Sequence, residues 1–377
     1  MRDDDIEAPI SGALKSETSV ILHMGLNKTA SSSIQATAHS NRGVLKRYGI
    51  HYARFAAGQE KMLIRLLQKR WWAANHSVPL VRALESFDSS KNVAVTNNSR
   101  QKLGFSYLGE LKNNIDALKP GETLLISGES IGTLPEDKLR LLKWIFDEAK
   151  VRQRVILYVR APFEFFVSLN QQHIKLGLSK GLYCSHRKFW ASEQIKQIQG
   201  IFPTAEFIPF AVAKRHPDGP AGHFLETIGA PPDQVRIRKV NESLCRQAVE
   251  LLAYINSRDP AETITGMSRN MRPGDFSAFR YLTGERYGVT EKEIEPFEDY
   301  LAEQNKWFRE NLGDEFTDKS RRYVCGEATW CARNIPELKK VLKRVNPPIR
   351  KIIAEYFEHK AVAPRAVSQN LRGILRR

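Results

Sequence analysis

The chain has 377 residues, enough for one large α/β domain with additions or for two modest domains. Hydrophobic residues make up 42% and charged residues 27%, a globular balance that excludes a disordered or fibrous class. Lysine and arginine number 58 against 42 acidic residues, and the net +16 favours anionic partners: nucleic acid, anionic glycans, acidic membranes or phosphorylated small molecules, beside a merely solvated basic surface.

Cys184, Cys245, Cys325 and Cys331 are too few and too irregularly spaced for a disulfide framework or a zinc-binding CxxC pair, and read as reduced and structural. Met1-Arg2-Asp3-Asp4-Asp5 opens a polar leader, residues 1–18, with no apolar segment behind it, so no secretory signal is expected. No apolar run reaches the length of a membrane span. These features predict a cytoplasmic enzyme without a transmembrane segment.

Ser19-Val20-Ile21-Leu22-His23-Met24 reads as a buried strand that runs into Gly25-Leu26-Asn27-Lys28. From Thr29 onward, Ser31, Ser32 and Ser33 lead into Ile34, Ala38 and Leu45 at helical spacing, with hydroxyls placed to cap the helix start. Residues 53–120 are expected to hold helices and an exposed loop, with Arg65, Lys69, Arg70, Trp71 and Trp72 as either an acceptor-holding segment or an amphipathic helix with a solvated face. Three further strands are predicted at Thr123–Ser127, Val155–Val159 and Phe207–Phe210, followed by helices over Pro135–Phe146, Phe163–Leu176 and Gly222–Ile228. Alternating strands and helices predict an α/β fold, an open parallel sheet flanked by helices over residues 19–240. Beyond residue 241 the pattern turns mostly helical, as in Glu242–Asn256 and Lys292–Asn311, and ends in a basic tail with Arg372, Arg376 and Arg377. This C-terminal region, residues 241–377, is expected to pack on the α/β domain.

The segment Gly25 to Ser33 delivers a strand to a helix N-terminus, whose free amides and dipole favour a bound phosphate or sulfate. Lys28 adds a mobile positive charge, and the hydroxyls of Thr29, Ser31 and Ser32 can hydrogen-bond anionic oxygens. A capped helix behind a strand would explain the hydroxyls but not the lysine. The spacing is not that of a Walker A loop, because Lys28 follows Gly25 after two residues and no second glycine precedes it. At the end of a later strand stands Arg160, followed by Pro162 at a helix start and by Ser168 about two turns on. An arginine fork there can hold a phosphate, and Ser168 can reach another part of the same anion.

Together, Gly-x-x-Lys-Thr-x-Ser-Ser after the first strand and Arg-x-Pro with a downstream serine resemble the cofactor-binding signature of the sulfotransferase superfamily. The resemblance spans about residues 19–230. It implies a P-loop-like fold and 3′-phosphoadenosine 5′-phosphosulfate as the sulfuryl donor. It implies that the 5′-phosphosulfate is held by Lys28, Thr29, Ala30, Ser31 and Ser32, within the loop that also carries Gly25 and Asn27, and the 3′-phosphate by Arg160 and Ser168. Asn27 and Ala30 depart from the proline and glycine common at these places. Ala30 is compatible with a helical backbone and strained at positive φ. No Arg-Lys-Gly closing segment is recognised, which makes the bacterial and carbohydrate-modifying branches the nearer comparison. The expected acceptor is a hydroxyl of a carbohydrate or glycoconjugate, such as an anionic glycan or glycolipid. No metal and no nucleic acid are expected.

Sulfuryl transfer needs a base for the acceptor hydroxyl, and Glu129, just past the strand Thr123–Ser127, is the candidate, with Lys28 as the charge-neutralising partner. Glu129 serves equally well on paper as a turn cap or as an ion-pair partner of Arg160. His23 reads as buried inside its strand, and His51 and His173 are weaker candidates. Two other readings stay open: an atypical P-loop kinase, and a non-catalytic polyanion-binding protein.

Overall fold

The computed structural model describes residues 18–26, 28–56, 74–88, 93–94, 99–177, 191–240, 243–259 and 275–359. Asn27, the Arg65–Trp72 segment, Cys184 and the basic tail lie outside these residues. The chain divides into two compact units: Met1–Ala161 with Trp190–Asn241 and Trp307–Phe316, and Pro162–Phe189 with Glu242–Lys306 and Thr317–Arg377.

In chain order the elements are β1 (Ser19–Met24), α1 (Ser31–Ser40), α2 (Arg42–Arg47), β2 (Ile50–Tyr52) and α3 (Ser77–Glu85), then the two-residue hairpin strands β3 (Phe87–Asp88) and β4 (Val93–Ala94). There follow α4 (Ser99–Asp116), β5 (Thr123–Gly128), α5 (Glu136–Glu148), β6 (Arg152–Val159), α6 (Pro162–Lys175), α7 (Ala191–Ile201), β7 (Glu206–Pro209), α8 (Phe210–Arg215) and α9 (Gly219–Thr227). The remaining long helices are α10 (Arg246–Arg258), α11 (Glu298–Asn311), α12 (Asn334–Leu342) and α13 (Pro347–His359).

The first unit is an α/β fold built on a parallel five-stranded sheet in the order β2-β5-β1-β6-β7. Its central strands are near-continuous aliphatic runs because both faces are covered. Alternate residues serve opposite faces. Val20, Leu22, Met24, Leu124, Ile126, Val155 and Leu157 pack with α3, α4, α5 and α7, whereas Ile21, Leu125, Ile156 and Tyr158 pack with α1, α8 and α9. β1 is flanked by β5 and β6 in parallel register, Met24 opposite Gly128 and His23 opposite Ile156, so three carboxyl ends lie side by side. Ligands of open α/β sheets bind at such an edge. The strand Ile50–Tyr52 was not among those predicted; three residues carry too little periodicity to be seen.

In the second unit, α6 is tied to α10 and its surroundings by buried amides. Asn256 Nδ2 donates to Ile174 O at 2.7 Å, and Gln171 Nε2 donates to Leu244 O at 3.1 Å. Arg246 and Glu250 form an ion pair of 2.9 Å, almost wholly buried. The pair is tolerated because its remaining valences are met: Arg246 donates to Cys325 O and Gly326 O, and Glu250 accepts from Ala328 N. The helix expected over Lys292–Asn311 is instead a single turn, Glu291–Ile294, a tighter turn over Glu295–Phe297, and α11. Pro296, which lacks an N–H, sits at the break. Among the described residues no helix is long and apolar enough to cross a membrane.

Candidate anion-binding site

β1 hands the chain to Gly25, whose N–H donates to Gly128 O at 3.2 Å and extends the β1–β5 ladder by one rung. A Cβ on Gly25 would stand 2.1 Å from Ser31 Oγ and 3.3 Å from Glu129 Cα, so the helix start and the end of β5 close on this point and only glycine fits. Beyond it the backbone alternates in hand: Lys28 has φ +69° and Ala30 φ +62°, both outside the range side chains prefer. Buried Thr29 lies between them and donates its hydroxyl proton to Leu26 O at 2.6 Å, bracing the loop. Such alternation turns successive amides into one concavity, an arrangement that binds anions.

Ala30 is the N-cap of α1, and among the described residues no side chain caps the helix, in place of the hydroxyl cap expected from the sequence. The dipole of the helix gives this end a partial positive charge, which suits an anion. Ser31 is buried, and its Oγ has no hydrogen-bond partner among the described residues. A buried hydroxyl without a partner, set against a helix start and a lysine, matches what a bound phosphate or sulfate oxygen would satisfy. Because a Cβ is strained at this φ, Ala30→Gly is expected to raise stability by about 0.5–1 kcal/mol. A urea midpoint that stays put or falls in A30G would contradict the left-handed assignment.

Glu129 follows β5 directly and is half-buried. Burial pushes its carboxyl above the usual range, while the Lys28 ammonium and a hydrogen bond from the Lys28 N–H pull the other way. Lys28 and Glu129, both expected at this edge of the sheet, are brought together here. His23 lies fully buried inside β1, its Nδ1 2.7 Å from Ser127 Oγ, and burial holds its pKa down to about 3. His51 pairs with Glu122 at 3.1 Å, beside the residue that begins β5 and so at the opposite edge of the sheet. His173 is in the last turn of α6, in the second unit.

Arg160 follows β6, with its guanidinium carbon 4.4 Å above the Phe210 ring; Lys214 Nζ stands 5.8 Å from the same ring. Phe210 opens α8 straight after β7, so the strand next to β6 supplies a flat apolar rest for the arginine fork. Reading the sequence did not identify Phe210 in this role, because nothing local links positions 160 and 210. Ser168 is half-buried in the second turn of α6, in the second unit, where the Asp318 carboxylate accepts the Phe163 N–H at 3.0 Å near the helix start.

A basic segment also went unrecognised. Arg236, Arg238 and Val240 lie along α1, each exchanging main-chain hydrogen bonds with one helix side chain. Ser33, Thr37 and Asn41, at intervals of four, act as a polar edge that pairs this chain as a strand would. Lys239 is thereby held beside the first turns of the helix whose positive end faces the site. No group of three or more potential metal ligands occurs among the described residues.

No protein-family model matches the chain. No curated protein matches it in sequence. Among solved structures it is similar to the crystal structure of a sulfotransferase from Alicyclobacillus acidocaldarius at 10% identity and a TM-score of 0.34, over 77% of this chain and 94% of that one. So slight a likeness says nothing about chemistry.

Proposed function

We propose that the protein is a sulfotransferase that moves a sulfuryl group from 3′-phosphoadenosine 5′-phosphosulfate to a hydroxyl of a carbohydrate or glycoconjugate. The observation that carries this reading is the Lys28 loop: among the described residues a helix start without a side-chain cap and a buried Ser31 hydroxyl without a partner, with a carboxylate against the lysine. The donor's phosphosulfate is the dianionic group such a loop fits, and the +16 net charge suits an anionic glycan as acceptor.

Lys28 neutralises charge on the bridging and transferring oxygens, as sulfuryl transfer, like phosphoryl transfer, depends on positioning and charge stabilisation. Glu129 accepts the acceptor's hydroxyl proton while the new sulfur–oxygen bond forms and the bond to the nucleotide phosphate breaks. The raised midpoint caused by burial makes it a stronger base than an exposed glutamate. Arg160, steadied by Phe210, holds the 3′-phosphate.

Arg160→Ala tests the donor assignment. Its affinity for 3′,5′-adenosine bisphosphate is expected to fall about 10- to 100-fold by calorimetry, with affinity for the 5′-monophosphate unchanged. Equal weakening toward both nucleotides would remove Arg160 from the 3′-phosphate and with it the ground for this donor.

A further inference from the structure

The turn that carries Glu129 is pinned from outside the sheet. β2 pairs with β5 only as far as Ala53 N, which donates to Leu125 O at 3.0 Å. At Ser127 a single residue, His76, takes over the edge: its main-chain N–H donates to Ser127 O at 3.0 Å and its Nδ1 accepts the Ser127 N–H at 3.0 Å. One residue further, Ser77 Oγ accepts the Ser130 N–H at 3.0 Å. Gly128 between them has no room for a side chain, since a Cβ would lie 2.9 Å from Ser77 N and 2.7 Å from Ile131 Cδ1. Glu129 is therefore bracketed on both sides by anchors from the start of α3.

The anchor is itself rigid. The His76 ring is buried, packs at a tilt against Tyr52 with ring centres 4.4 Å apart and meets the edge of Phe55 at 5.4 Å. Burial lowers its pKa to about 3, and the Nδ1 acceptor role requires the neutral ring with its proton on Nε2. A fully buried imidazole used to receive one backbone amide is an expensive way to end a strand, and an ordinary strand residue would pair as well.

We infer that His76, aided by Ser77, is a positioning residue: it fixes the Ser127–Ser130 turn so that the Glu129 carboxylate stays against Lys28. This rests on the proposed role of Glu129 as base.

The test uses the full chain and release of inorganic sulfate from 3′-phosphoadenosine 5′-phosphosulfate with water as acceptor. His76→Phe keeps the ring packing and removes the amide acceptor. It is expected to lower turnover about 10- to 100-fold, with the donor KM and the bisphosphate affinity within about twofold of wild type. In a Glu129→Gln background the same change is expected to cost nothing more, because its effect passes through that carboxylate. Should H76F fail to fold, S77A, which removes only the Ser130 acceptor, carries the same comparison with a severalfold loss. Undiminished turnover, or an equal loss in the E129Q background, overturns the inference. Failure of the functional reading shows separately, as a wild-type protein that neither binds the bisphosphate nor cleaves the donor. In that event the Glu129 carboxyl resonance, whose facing charge is Lys28, still decides: a titration midpoint moved by H76F supports the anchor, and an unmoved one removes it.

Discussion

Glu129→Gln is expected to lower sulfuryl transfer about 10²- to 10⁴-fold, while 3′,5′-adenosine bisphosphate binds as well as before or better. The amide keeps the size of the side chain but cannot take a proton, and it withdraws a negative charge from the Lys28 loop that the nucleotide must enter. Steady-state turnover and calorimetry on one preparation separate the two effects. In the wild-type protein, transfer should rise with pH through the raised Glu129 midpoint, because only the ionised form is a base; E129Q should lose that limb. Stability should show the same group. Its folded midpoint lies above the unfolded one, so its contribution is fully present below the ordinary glutamate value of about 4.3 and is lost as pH rises through the folded midpoint. E129Q is therefore expected to unfold at higher denaturant than wild type near neutral pH and to show no such gain at low pH. A variant that loses nucleotide binding along with turnover would make Glu129 a structural part of the loop.

Lys28→Ala is expected to weaken the bisphosphate at least about 100-fold, the largest loss of affinity of any single change in the site. The lysine is the one side-chain cation within a loop otherwise built of amides and hydroxyls, and Glu129 beside it would be left buried with less compensation. Near neutral pH stability should fall, because the buried Glu129 carboxylate loses the Lys28 charge that favours its ionised form, whereas at low pH, with the carboxyl protonated, it should change little. A variant that binds the nucleotide normally would relocate the phosphosulfate away from this loop. Arginine at the same place is not expected to rescue binding fully, because its planar fork is a poor substitute for a compact ammonium.

Much of this site could be read directly from the chain. The run Ser19–Met24 is apolar enough to be a central strand, and the glycine, lysine and hydroxyl residues behind it mark a strand-to-helix loop of the kind that suits an anion. Glu129 and Arg160 were placed correctly at strand ends because β5 and β6 are equally plain runs. Other features were hidden for physical reasons. The strain at Ala30 depends on a backbone handedness that alanine does not announce, and the sequence permitted either a relaxed helical residue or the strained one observed. Phe210 under Arg160, and His76 against Ser127, are contacts across 50 residues or more between elements that meet only after the sheet has formed. Ser33, Thr37 and Asn41 recur at intervals of four along α1 and its C-cap, yet their partner is an irregular segment about 200 residues away, with no periodicity of its own.

The measurement that bears most directly on the function is a calorimetric titration of the wild-type protein with 3′,5′-adenosine bisphosphate, run beside ATP with magnesium. Binding of the bisphosphate with no response to ATP is the expected result. Binding of ATP alone would contradict the proposed function in favour of a nucleotide-triphosphate kinase, and binding of neither would leave the basic chain as a polyanion-binding protein without turnover.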